Sequence, residues 1–271
     1  MSDVFLLTGC ASGIGRHLTR ALSSLGHQVM ATDVNEAGLD DAARLDGWDA
    51  ARVQRRRLDV RDPAQWHAAL EATLKTFGRL DVLLNIAGYL KPGWSWEIDA
   101  GEIDRHLDIN VKGVIHGVTV VGRHFVAQKK GHVINIGSLA SLAPVPGLGL
   151  YSASKFAVRG FTLAAAQELL PHGVKVTLLM PDAVQTPMLD LQVNYEQAAM
   201  TFSGPRALTV EDIERALLDE VLPNAPLELT LPFSRGAVAR LATFLPGAVI
   251  KLGPLFIKKG RAAQEKRKRG S

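Results

Sequence analysis

The chain has a single cysteine, Cys10, among 271 residues, so no internal disulfide can form, which fits a reducing cytoplasm. Lying in a glycine-rich stretch, that residue reads as a small packing side chain or as a redox-sensitive thiol. No apolar run reaches about 18 residues without a charge or a proline, so no spanning helix is indicated. The start, "MSDVFLLTG", has neither a basic stretch nor a cleavage site, and no signal peptide is expected. The eight histidines are scattered. Neither His-Glu-x-x-His nor a Cys/His spacing occurs, so no metal site is expected. Acid is scarce at the C-terminus: residues 251–271 hold eight Lys or Arg against Glu265, while the rest holds 23 bases and 26 acids. The net charge of +4 thus belongs to the tail, and with no recognisable nucleic-acid motif no nucleic-acid partner is expected.

What the chain does hold is apolar content, 47%, enough for one sizeable core. "VFLLTG" reads as a buried strand, "GIGRHLTRALSSLG" as an amphipathic helix closed by Gly26, and "HQVMATD" as a second strand. The alternation continues with "ARVQRRRLDV", a helix from about Pro63 to Phe77, "LDVLLNIAG", and a long helix to about Gln128. Then come "GHVINIGS", a helix from Tyr151 to about Leu170, and "VKVTLLMP". Six strands alternating with helices predict an α/β fold: a doubly wound parallel sheet with helices on both faces. Ligands of such sheets sit beyond the carboxyl ends of the strands. The run Arg55, Arg56, Arg57 precedes such an end and reads as solvated.

The first strand runs into "TGCASGIG", whose Gly9, Gly13 and Gly15 lie between strand and helix. Glycine there lets the chain turn sharply and lets a pyrophosphate approach the helix N-terminus; a tight turn without a ligand is the plain alternative. The second strand ends at Asp33, 18 positions after Gly15. A carboxylate near that spacing accepts the ribose hydroxyls of NAD and repels the 2′-phosphate of NADP. With no Lys or Arg inside the glycine loop, NAD(H) is expected over NADP(H). Further on, "LYSASKF" places Tyr151 and Lys155 on one helix face, a spacing that alone arises often by chance.

In this order the features resemble the short-chain dehydrogenase/reductase family over residues 4–188. The resemblance rests on "TGCASGIG", Asp33, Asp59 with Val60, "NIAG" from Asn85 to Gly88, Asn110, Ser138, Tyr151 with Lys155, and "PDAVQTPM" from Pro181. It implies a single Rossmann-like domain and a set of roles. Tyr151 would be general base when an alcohol is oxidised and general acid when a carbonyl is reduced. A free phenol, with a pKa of about 10, is too weak for this at neutral pH, so the Lys155 ammonium and the oxidised nicotinamide would favour the phenolate. Lys155 would also hold the nicotinamide ribose, and Ser138 would bond the substrate oxygen. Asn110 would interrupt helix bonding and hold a water linking Lys155 to solvent. Gly9, Ser12, Gly13, Ile14 and Gly15 would receive the cofactor's phosphates. Asp59 and Val60 would flank the adenine, and Asn85, Ala87 and Gly88 would line the adenosine ribose side. Beyond Pro181, Thr186 would reach the nicotinamide carboxamide with backbone help from Val184. The family also implies a homodimer or homotetramer paired through residues 111–128 and the helix after Tyr151, where "FTLAAAQELL" supplies small side chains.

Two positions depart from the family pattern: Ile86, where a second Asn is frequent, and Asp182, where Gly is usual. Asp tolerates φ > 0 less easily than Gly, which puts the turn in question; Asp182 reads as a solvated turn residue or a substrate contact. Trp94 and Trp96 either line the pocket entrance or cover the core. Residues 188–202 read as a lid whose Met188, Leu189, Leu191, Tyr195, Met200 and Phe202 cover an apolar ligand, or as a helix closing the core. The expected layout is a cofactor-binding and catalytic domain over 1–235, lid about 188–208 included, and an apolar then basic extension over 236–271. Divided by prolines, that extension suits a membrane surface or the substrate entrance; alternatively its apolar part packs on the protein and its basic end is disordered. The expected activity is NAD(H)-dependent interconversion of a secondary alcohol and a ketone on an apolar steroid-, retinoid- or lipid-like substrate. The expected place is the cytoplasm, with peripheral contact at the inner membrane surface left open. The rival is a catalytically idle nucleotide-binding module, against which the proton-transfer set of Ser138, Tyr151, Lys155 and Asn110 argues.

Overall fold

The computed structural model describes residues 2–270. Its strands are β1 (Val4–Thr8), β2 (Gln28–Asp33), β3 (Val53–Arg57), β4 (Val82–Asn85), β5 (Gly131–Ile136), β6 (Val174–Pro181) and β7 (Glu228–Leu231). They form one sheet in the order β3-β2-β1-β4-β5-β6-β7, parallel throughout. The order reverses between β1 and β4, which opens a crevice beyond the carboxyl ends of those strands. β1, β4 and β5 are buried along their whole length, as central strands covered on both faces must be. At the β3 edge Arg55, Arg56 and Arg57 are exposed, as their sequence indicates, and Arg55 pairs with Asp40. β7 is an addition to the six strands read from sequence. Its four residues, between Pro226 and Pro232, are too few to show a period, and pairing with β6 is what orders them.

The helices are α1 (Gly13–Ser24), α2 (Glu36–Asp46), α3 (Pro63–Phe77), α4 (Ala100–Leu107), α5 (Gly113–Gln128) and α6 (Gly149–Leu169). They continue as α7 (Pro187–Gln192), α8 (Val210–Ala216), α9 (Leu222–Asn224), α10 (Phe233–Phe244) and α11 (Pro246–Gly270). One face of the sheet is covered by Trp66 of α3, Val121 and Phe125 of α5 and Val158 of α6. The other is covered by Leu18 and Leu22 of α1, Leu39 of α2 and Ile213 of α8. The start of α3 shows why these elements begin where they do: Asp62 accepts from the Ala64 and Gln65 amides, Pro63 fills the first turn, and Gly78 ends the helix at φ 76°. The long helix ending at Gln128 is α4 and α5 joined by a π-turn, Asp108–Lys112.

At the C-terminus the prolines do not cut the chain into short segments. Pro246 opens α11 and Pro254 lies inside it. The basic end is helical rather than disordered, because the far part of α11 is anchored. Gly260 packs so closely on the 3₁₀ segment Glu196–Ser203 that a Cβ there would run into the Ala199 carbonyl oxygen. The buried Gln264 amide donates to the carbonyls of Gln192 (3.0 Å), Val193 (3.1 Å) and Tyr195 (2.7 Å). No helix among the described residues is long and apolar enough to cross a membrane.

Candidate active site

Beyond β1 the chain turns through Gly9 (φ 74°) and Gly13 (φ 54°), a left-handed conformation that costs glycine little. A Cβ on Gly9 would sit 3.0 Å from the Ala87 main chain, so the ends of β1 and β4 are in contact. Thr8 Oγ1 fastens them, accepting from the amides of Ile86 (2.9 Å) and Ala87 (3.1 Å). Ser12 stands at the N-cap of α1 but its side chain makes no cap bond, and no acid occupies the first turn. Beside Ile14 and Gly15 this leaves a helix N-terminus suited to an anion. A Cβ on Gly13 would lie 3.1 Å from Thr186 Cγ2, so the loop after β6 faces the glycine loop across the crevice. Asp33 ends β2 and bonds the same loop, its Oδ2 accepting from the Ala11 amide at 3.0 Å and its Oδ1 from Asn35 at 2.9 Å. These features fit a dinucleotide: an uncapped helix start for its phosphates and a carboxylate for its ribose.

Nearby positions divide between crevice and core. Arg61 grips the Asp59 carboxylate (2.6 Å) and holds it below the usual carboxylate range; Val60 is buried. The Asn85 amide turns inward instead, donating to Asn135 Oδ1 (2.8 Å). Asn135 donates to Thr162 Oγ1 (2.9 Å), which donates to the Val158 carbonyl (2.7 Å). This buried polar chain ties β4 and β5 to α6, and sequence reasoning missed Asn135 and Thr162, whose signal was two polar side chains in apolar segments. Gly88 borders Asn110, whose Oδ1 would lie 3.5 Å from a Cβ there.

Ser138, Tyr151 and Lys155 meet at the end of β5. Ser138 caps the short turn Leu139–Ser141, its Oγ accepting from the Ala140 amide at 3.1 Å. Tyr151 and Lys155 are one turn apart on α6. Burial pushes the Tyr151 phenol up to about 12, with the Ser138 hydroxyl pulling the other way. Burial also pushes the Lys155 ammonium down to about 8. In this geometry burial, not Lys155, sets the direction of the Tyr151 shift. The reason is geometric: Nζ donates to the Ile136 carbonyl (2.8 Å) and lies 5.7 Å from the Tyr151 ring centroid, so desolvation prevails. Asn110 lies in the π-turn, fully buried. Its Oδ1 accepts from the Tyr89 amide (2.7 Å), and its Nδ2 donates to the Tyr89 carbonyl (2.9 Å) and to Ser154 Oγ (2.9 Å). It thereby clasps the loop after β4 to the residue next to Lys155.

Around Tyr151 a separate apolar cluster gathers Leu90, Leu148, Met188, Tyr195, Ala198 and Phe202. Three of the six lid residues named from sequence are in it. Leu189 is buried elsewhere, Leu191 is 46% exposed, and Met200 is half-buried outside the cluster. Trp94 and Trp96 stack with centroids 5.5 Å apart, and Trp96 is 78% exposed, so it covers no core. A bridge from Gly93 to Leu148 sets this loop beside the cluster. Asp182 keeps an ordinary backbone, since among the described residues the positive-φ positions other than glycine are Lys129 and Ala225. Its carboxylate is neither solvated nor turned to the cluster: it pairs with Arg235 of α10 at 2.5 Å, and burial raises it. Pro181 ends β6, Val184 bridges to Leu208, and Thr186 Oγ1 donates to the Val184 carbonyl (3.2 Å). Ile86 packs into the core. Cys10 is buried and its thiol is pushed up to about 12, which makes it a packing residue.

Comparison with known proteins agrees with this architecture. The short chain dehydrogenase family profile matches residues 3–196. A 3-alpha-(or 20-beta)-hydroxysteroid dehydrogenase of Mycobacterium tuberculosis is 40% identical over 191 residues, 70% of this chain and 72% of that protein. Among solved structures, a short chain dehydrogenase/reductase from Burkholderia phymatum in complex with NAD superposes with a TM-score of 0.79 at 28% identity, covering 93% of this chain and 95% of that one. ElxO with NADP bound gives 0.75 at 25% identity, covering 85% and 97%. With a matching profile over most of its length and a relative of this similarity, the chain belongs to the short-chain dehydrogenase/reductase family of oxidoreductases.

Proposed function

We propose that the protein interconverts a secondary alcohol and its ketone, with NAD(H) preferred, on an apolar substrate of steroid, retinoid or lipid type. The observation that carries this reading is the apolar cluster closing around Tyr151 next to Ser138 and Lys155. These residues would hold a nicotinamide dinucleotide, whose chemistry there would be hydride transfer. Ser138 Oγ donates to the substrate oxygen and fixes it beside Tyr151. As the phenolate Tyr151 would take the proton of an alcohol, and as the phenol it would give one to a ketone. Lys155 holds the nicotinamide ribose, and turning its ammonium from the Ile136 carbonyl toward the phenol lowers the phenol's pKa. Asn110 is a positioning residue through Tyr89 and Ser154, and its π-turn interrupts main-chain bonding for the water that serves Lys155. The α1 N-terminus with Gly9, Ser12, Gly13, Ile14 and Gly15 takes the phosphates. Asp59, Val60, Ala87, Gly88 and the main chain of Asn85 take the adenosine side, and Pro181, Val184 and Thr186 take the carboxamide.

Asp33 supports the preference for NAD, since its carboxylate repels a 2′-phosphate; the structural neighbours include both an NAD and an NADP complex. The hydroxysteroid dehydrogenase relative supports an apolar alcohol. In this reading residues 1–235 perform binding and chemistry, and the extension 236–271 braces the lid. An idle nucleotide-binding module has no use for a phenol, a hydroxyl and a buried ammonium in one place. The test is NADH fluorescence on binding, followed by a screen of steroid, retinoid and long-chain secondary alcohols for NADH production. Turnover of an apolar alcohol with NAD is expected. NADH binding without turnover of any such alcohol, or of any of the corresponding ketones, would leave the idle module as the correct reading.

A further inference from the structure

The polarity of α10 runs against its surroundings. Two of its polar side chains bond back to the body of the protein: Arg240 to Glu228 (2.8 Å), and Thr243 Oγ1 by donating to the Leu142 carbonyl (2.7 Å). Its large apolar side chains point outward: Val238 is 64% exposed, Leu241 60%, Phe244 80% and Leu245 54%. The spacing of three puts Val238, Leu241 and Phe244 on one face of the helix, and Leu245 follows at its C-cap. At the junction with α11 the pattern continues through Ile250, 76% exposed. Single exposed apolar residues are ordinary, whereas a contiguous helical face of them marks a surface that something covers.

The charges next to that face select the covering. On α11, opposite the buried Gly260 and Gln264, residues 251, 255, 258, 262 and 266 form the outward stripe by helical spacing. They are Lys251, Leu255, Lys258, Ala262 and Lys266, with Lys259 and Arg261 exposed alongside. No Asp or Glu occurs from Leu229 to Gln264, and Glu265 is the one acid after it. A two-fold interface lays a patch onto itself, so a second copy seated here would bring these lysines against one another with Glu265 alone to offset them. An anionic lipid surface meets both needs, because apolar side chains enter the boundary between head groups and acyl chains while lysines remain among the phosphates.

We propose that the outward face of α10 and the lysine stripe of α11 dock the protein on an anionic lipid surface. The docking is peripheral, since no described helix crosses a membrane. It stands apart from the choice of substrate. The far part of α11 holds the lid through Gln264, so the bound surface lies on the element that braces the substrate cluster.

Full-length protein is tested by flotation with vesicles of phosphatidylcholine alone or of phosphatidylcholine mixed with phosphatidylglycerol, at low and high salt. Shortening the chain is unsuitable, because it would remove the lid's anchor together with the docking face. Two sets of exposed substitutions serve instead: Leu241→Ser with Phe244→Ser, and Lys251→Glu with Lys258→Glu. Wild type is expected to float with the anionic vesicles and to release in salt, and each double variant to bind roughly tenfold or more weakly while keeping its NADH affinity and melting temperature. Absence of flotation at low salt overturns the proposal, as does equal flotation of wild type and both variants. So does a sedimentation result in which Leu241→Ser with Phe244→Ser splits an oligomer and leaves vesicle binding unchanged, since a second copy then covers the face.

Discussion

The Asp33 carboxylate holds the glycine loop through the Ala11 amide, and in the proposed reading it also presents negative charge toward the extra phosphate of NADP. Asp33→Ala is expected to lower kcat/KM with NAD by roughly 10- to 100-fold, the range for a lost hydrogen bond to a charged group, while NADP loses less or gains. A wild type that uses NADP as efficiently as NAD would contradict the assignment. His132 offers a test of burial that is independent of function. It is buried in β5 beside Thr177 (2.9 Å), and desolvation, with Lys175 adding to it, pushes the imidazole down to about 4. A depressed pKa means that the folded state resists protonation. The contribution to stability is present above 6.5, the ordinary value, and is lost as pH falls toward 4. The loss is of order 3 kcal/mol at the lower end. Denaturant titrations of wild type and His132→Gln across that window should show a steeper acid loss in wild type; parallel curves would mean that the imidazole is not held neutral. Residue identities of this kind were legible where a motif fixed them, as for Ser138, Tyr151 and Lys155. The inward turn of Asn85 and the pairing of Asp182 with Arg235 were not, because partners 50 residues or more away decide them.

Among the elements, the lid and its brace depend most on long-range packing. Gly260 of α11 presses on the 3₁₀ segment Glu196–Ser203 from outside, and Gln264 holds the residues leading into it. Gln264→Ala removes the donor to the carbonyls of Gln192, Val193 and Tyr195 and is expected to cost about 1–3 kcal/mol of stability. Gly260→Val forces a side chain against the Ala199 carbonyl at a cost of about 1–3 kcal/mol. Both should raise KM for an apolar substrate more than they lower kcat, since they loosen Tyr195, Ala198 and Phe202 rather than Tyr151. A fall in kcat at unchanged KM would place α11 outside substrate binding. Helices with strong local signals, such as α3 between Asp62 and Gly78, could be read within a residue or two. Local signals misled for α11, where Pro254 suggested a break that the packing of Gly260 and Gln264 overrides. β7 gave no period at all, and its edge pairing supplies the order.

At the scale of the whole molecule, the parallel sheet followed from the alternation of apolar runs with helices, while the strand order and its switch point came from the structure; the glycine loop, Asp33 and Tyr151 all fall at the carboxyl ends where that topology puts chemistry. The same scale bears on assembly. Ala153, Ala157, Gly160 and Ala164 form an exposed small-residue stripe along α6, and a Cβ on Gly160 would meet nothing within 4 Å in the single chain. If the protein pairs through α5 and α6, Gly160→Trp should leave the fold intact and lower the sedimenting mass, whereas a wild type already monomeric at micromolar concentration would refute the pairing. The central claim, that this fold carries out proton-coupled hydride transfer through Tyr151, is tested most directly by Tyr151→Phe on the alcohol found in the screen. The account predicts NADH affinity close to wild type together with a fall in kcat of about 10²- to 10⁴-fold, the usual worth of a positioned acid–base group. Near-normal turnover by Tyr151→Phe, with the same substrate and intact cofactor binding, would contradict it.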